Sequence, residues 1–150
     1  MCTFRAAGLN FDVDGFLAMS PIQACAVYHA GEPKFSTKPD GPRVLKSGFT
    51  ADVSRKDWDD LPGQIEDAKT FLRTFDAELR RLAAFPGFET MKIDFPMNLR
   101  IGTNKIVVQS DGLPADLLFL ARALGVDIAL TIYPPANDGL ADEDPGEGTL

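Results

Sequence analysis

LPGQIEDAKTFLRTFDAELRRLAAF, residues 61–85, is the stretch whose reading decides the fold. Leu61, Ile65, Ala68, Leu72, Phe75, Leu79 and Leu82 recur at alternating spacings of four and three, which puts them on one face of an α-helix. Phe71 widens the stripe. Asp59 or Asp60 is placed to cap the first turn, and Pro62 sits where a missing amide has no helical partner to lose. Asp76–Arg80 and Glu78–Arg81 pair along the solvated side, Arg80 and Arg81 suit the negative pole of the helix dipole, and Phe85-Pro86-Gly87 stops the chain. The pattern predicts one continuous helix over 61–85. Its regularity lasts only about three heptads, the minimum for a coiled coil. Apolar strands flank it on both sides, so it is expected to pack against a sheet.

Toward the N-terminus, residues 2–9 (CTFRAAGL) read as a strand, and Asn10 or Asp12 offers a cap to a short helix whose inner face is Val13, Phe16 and Leu17. Ser20-Pro21 ends that helix. Residues 23–29 (QACAVYH) are a second strand. Residues 31–42, with Gly31, Pro33, Pro39, Gly41 and Pro42, form a loop or long hairpin connection. Residues 43–54 resume strand character with poor alternation, which predicts a bulge near Ser47-Gly48.

Toward the C-terminus, Met91, Ile93, Phe95, Met97 and Leu99 alternate with polar residues in the cleanest strand pattern of the chain. Pro96 within it demands an edge or a bulge. Residues 105–109 (KIVVQ) read as a further strand. Leu117, Leu120, Ala121 and Leu124 make a third helix ended by Gly125, and residues 126–133 (VDIALTIY) are the last strand. The expected fold is α+β: a mixed β-sheet of about six strands with three helices, in the order β-α-β-β-α-β-β-α-β. Two βαβ halves, each with parallel strands, are joined by the long central helix.

A chain of 150 residues suits one domain, placed at 1–133, with 134–150 as an acidic disordered tail. The net charge of −7 includes five acids in that tail (Asp138, Asp142, Glu143, Asp144, Glu147) and no base, leaving −2 on the body. That balance lacks the basic footprint of a nucleic-acid binder. No stretch has the apolar length of a signal peptide or a membrane span, so a cytoplasmic protein that engages neither nucleic acid nor membrane is expected. Cys2 and Cys25 show no metal or CxxC spacing and are read as reduced thiols.

In this order the landmarks resemble the bacterial domain of unknown function 4279 family. Phe4-Arg5-Ala6-Ala7-Gly8 leads to Asp12 and Asp14, then Pro21, then Gly31-Glu32-Pro33. Later come an Asp111-Gly112 turn, Leu113, Pro114 and Leu117 at a helix start, Leu124-Gly125 at its end and Ile132-Tyr133 closing a strand. Phe49 stands where that family commonly carries Trp. The resemblance spans residues 3–133 and implies a fold without an established activity.

Chemistry is sparse. His29 is the only histidine, so a Ser-His-Asp triad must use it and a multi-His metal site is excluded. Asp12-Val13-Asp14-Gly15 has its Gly at the wrong place for a calcium loop and no Glu at position twelve. No Walker, GxGxxG, GxSxG or HExxH pattern occurs, and no cofactor or metal is expected. Two readings stay open. One is an uncharacterised, non-catalytic protein-interaction module, antidote-like or homo-oligomeric, with Trp58 beside Asp57, Asp59 and Asp60 as an anchor and the basic loop Lys34, Lys38, Arg43, Lys46 as a patch. The other is a small-ligand-binding or enzymatic domain with a cleft near Tyr28, His29 and Arg43, and Asp111 as a further candidate. The first is favoured, because one histidine and two unpaired cysteines assemble no catalytic constellation.

Overall fold

The computed structural model describes residues 1–103 and 105–134; the acidic tail expected from 134 onward lies almost wholly outside them. The chain runs β1 (Cys2–Gly8), α1 (Val13–Ala18), β2 (Ala26–Tyr28), β3 (Ser47–Ser54), α2 (Leu61–Thr74), α3 (Asp76–Ala83), β4 (Thr90–Asn98), α4 (Ala115–Leu124) and β5 (Asp127–Tyr133). The fold is α+β with one mixed five-stranded sheet in the order β2-β3-β1-β4-β5. Among the described residues only β4 and β5 pair in parallel.

Alternation along the strands assigns the two faces. Phe4 and Ala6 on β1 sit opposite Ala51 and Phe49 on β3 and opposite Ile93 and Met91 on β4, and all six are buried. They join Ile65, Ala68, Leu72, Leu79, Leu82, Leu117 and Ala121 from the helices in one core, so the helices cover that face. Aromatic rings fill its N-terminal end: Phe16 stacks on Phe49, with ring centroids 5.9 Å apart, and meets Phe85 edge-on. The opposite face carries Thr3, Arg5, Ala7, Thr50, Asp52, Thr90, Lys92 and Asp94, none of them fully buried.

Several sequence expectations hold in detail. Asp60 is the cap of α2 and Asp12 that of α1, each accepting from the amide of a glycine three residues on. Pro62 lies in the first turn of α2, and Gly125 ends α4 at φ +70°. Both predicted intrahelical ion pairs form. Pro96 is resolved by topology: β1 pairs with β4 only from Thr90 to Asp94, so at Pro96 the strand has a neighbour on one side alone.

Other expectations need correction. The helix predicted over 61–85 is two helices, broken at Phe75, whose ψ of +18° leaves the helical range while the apolar stripe continues across the break. Residues 105–109 are not a strand, so the sheet has five strands rather than about six. The place beside β4 is taken by β5, and the Gln109 side chain binds the Asn98 carbonyl and the Arg100 amide at the strand's end. Val107 and Val108 are left exposed. The first half keeps β1 and β2 parallel but inserts β3 between them, and the second half uses β4 as its leading strand. The irregularity in β3 falls at Val53, between the pairs Cys2–Ser54 and Thr3–Asp52, instead of at Ser47-Gly48.

Candidate functional site

His29 follows β2 on the rim of the sheet. Its Nε2 lies 2.7 Å from an Asp14 carboxylate oxygen and its Nδ1 lies 3.0 Å from one of Glu32. A neutral imidazole has one N–H and can satisfy only one of these; the doubly protonated ring satisfies both. The bonds to Asp14 and then Glu32 accordingly raise the pKa above its ordinary value. The two carboxylates sit on opposite nitrogens and share no point where a cation could bind. Among the described residues no group of three or more His, Cys, Asp or Glu could hold a metal ion. His29 therefore ties α1 to the 29–44 connection.

The other candidates are tied up locally. Arg43 donates to the Gly31 carbonyl beside a short ladder in which the Gly31 amide donates to the Val44 carbonyl and the Val44 amide to the Glu32 carbonyl. Lys46 pairs with Glu89 at 2.9 Å, so the basic loop is partly neutralised. Asp111 closes on Arg100, and the Gln109 amide followed by Arg100 holds its carboxyl below the usual range. Trp58 is half-buried and stacks on Tyr133 with centroids 4.6 Å apart, while neighbouring Asp59 accepts from Asn98. Cys2 is buried and its thiol is pushed up to about 12, chiefly by desolvation; exposed Cys25 donates to the Thr50 carbonyl.

Two of the sequence candidates border cavities: Trp58 edges a shallow depression of about 350 Å³ with Met1, Arg55, Lys56 and Asp57, and Tyr28 faces a second one. The Tyr28 ring crosses Gly48, where a Cβ would come within 2.7 Å of the hydroxyl, and that hydroxyl reaches toward the Ala6 carbonyl at 3.5 Å. The absence of a side chain at 48 thus lets the phenol lie flat across β3. It forms one wall of an open depression of about 420 Å³ on the helix-free face, lined also by Arg5, Ala7, Thr90, Lys92 and Asp127. His29, Arg43 and Asp111 do not line it.

The second notable surface is β5. All seven of its residues pair with β4, and no described strand occupies its other side. Its helix-side residues Leu130 and Ile132 are 47% and 54% exposed, although their β4 partners Phe95 and Met97 are buried. The helix layer reaches this strand at Ile128, which packs on the core, and leaves its second half uncovered.

No family model, curated protein or solved structure matches this chain. The site therefore rests on its own geometry. Sequence reading missed Arg5, Thr90, Lys92 and Asp127. Their alternation marks them as outward-facing, but only the register brings them together around Ala7.

Proposed function

We propose that this protein is a non-catalytic interaction module whose partner is a second copy of itself, joined along the outer edge of β5. The carrying observation is that edge: seven residues long, apolar, and unpaired on one side among the described residues. Unprotected edges are templates for strand addition, and proteins ordinarily blunt them with Lys, Pro or a bulge. β5 has none of these, and Asp127 is its only charge. The strand is also self-complementary. An antiparallel pairing centred on Leu130 sets Ile128 of one copy opposite Ile132 of the other, Ala129 opposite Thr131, and Asp127 opposite Tyr133. No like charges meet, and the exposed Leu130 and Ile132 gain apolar neighbours. The opposite edge, β2, has only three residues and offers far less.

The occupied ring nitrogens of His29 and the buried Cys2 support the non-catalytic part of the reading. The chain is placed beside the domain of unknown function 4279 family on the order of its sequence landmarks alone, from Phe4-Arg5-Ala6-Ala7-Gly8 to Ile132-Tyr133.

Sedimentation equilibrium tests the proposal. The wild type is expected to be dimeric and L130K monomeric with an unchanged far-UV spectrum. A wild type that stays monomeric at high concentration, or an L130K protein that stays dimeric, overturns it.

A further inference from the structure

The helix-free face carries a charge arrangement that folding alone does not favour. Arg5 on β1 and Lys92 on β4 are register partners and point to the same face, so two cations stand directly opposite one another. Such like-charged cross-strand pairs are destabilising. Their relief is partial. Arg5 approaches Asp94 at 3.8 Å, but that carboxylate already accepts a 2.6 Å bond from the Thr131 hydroxyl. Among the described residues no carboxylate closes an ion pair on Lys92, although Asp127 is its register partner on β5.

The two cations also border a space. Along the next row of the sheet Tyr28, Gly48, Ala7 and Thr90 lie side by side, and the small residues 48 and 7 leave a hollow between long side chains. The depression of about 420 Å³ lies within the range of roughly 300–1,000 Å³ occupied by small-molecule sites. Its rim presents a guanidinium, an ammonium and the hydroxyls of Tyr28 and Thr90, with Asp127 at one margin.

We infer that this hollow binds a small ligand through an oxyanion, a phosphate monoester or a carboxylate, held between Arg5 and Lys92 with the Tyr28 and Thr90 hydroxyls as further donors. The guanidinium fork suits either anion, and an anion seated there converts the cross-strand repulsion into two attractions. Asp127 disfavours a second negative group at the β5 margin, so the ligand is singly anionic there or carries a cation toward it.

The test is an amide NMR titration of the full chain with inorganic phosphate and, separately, with acetate, at constant ionic strength maintained with chloride. Saturable shifts at Ala7, Tyr28 and Thr90 are expected, and the anion that saturates at lower concentration identifies the source. K92Q, which keeps the Arg5–Asp94 approach, should weaken binding by about tenfold or more, the effect of one lost charge-assisted contact. With the repulsion removed, K92Q should also melt no lower than wild type when no ligand is present. Shifts that fail to saturate with either anion, that chloride reproduces, or that survive unchanged in K92Q overturn the inference.

Discussion

His29 shows how a single side chain can look like chemistry and act as a fastener. Its two bonds to Asp14 and Glu32 need both ring protons, so the connection is strongest when the ring is charged. The folded pKa is raised above the ordinary 6.5, so the stabilisation is complete below that value and disappears as pH rises through the folded value. The urea midpoint of the wild type should therefore fall as pH is taken upward from about 6.5, whereas H29Q should be flat over the same interval. Because the chain has one histidine, its ring resonances report the titration directly. A folded pKa at or below 6.5 would show that the clasp does not form in solution. From the sequence, His29 was visible as the sole histidine, but its partners are 15 residues before it and three after it. Only the packing of α1 beside the connection brings the first of them within reach.

At the scale of elements, the apolar stripe matters more than the charges that decorate it. Leu72 is fully buried and shares its core with Phe4, Ile93 and Phe95. Truncation to Ala should cost about 2–5 kcal/mol in urea unfolding. Removing the half-exposed Asp76 should change stability little, because its pair with Arg80 is well solvated. The two measured on one protein separate the contributions; equal losses would contradict the packing described here. The stripe, the caps at Asp12 and Asp60 and the turn at Gly125 were legible because each depends on residues within a few positions. The break at Phe75 was not, since neither Pro nor Gly marks it and the spacing runs through undisturbed. The strand expected over residues 105–109 failed for a different reason: its composition suits a strand, but β5 already holds the one open flank of β4.

For the whole molecule, the helices lie over the middle of the sheet and reach β5 at Ile128, leaving Leu130 and Ile132 exposed. A chain that buries Leu130 and Ile132 by pairing with a second copy should gain stability from its own concentration, because association stabilises the folded state by mass action. The melting temperature of the wild type should rise with protein concentration, and that of L130K should not. Scanning calorimetry over a wide concentration range checks it, and parallel behaviour of the two proteins would count against the proposed dimer. The α+β class was readable from the alternation of element types, whereas strand order was not. That β3 would insert between β1 and β2 depends on long-range pairings that no local pattern encodes.

The stack of Trp58 on Tyr133 has a practical corollary. Trp58 is the chain's only tryptophan, and it rests on the terminal residue of β5 while its neighbour Asp59 holds Asn98 on β4. Its fluorescence is consequently a local gauge of one seam, the loop before α2 against the end of the last two strands. Emission that reddens before the helical circular dichroism is lost would mean that this corner opens ahead of the rest, and every titration of the protein carries that optical readout without a label.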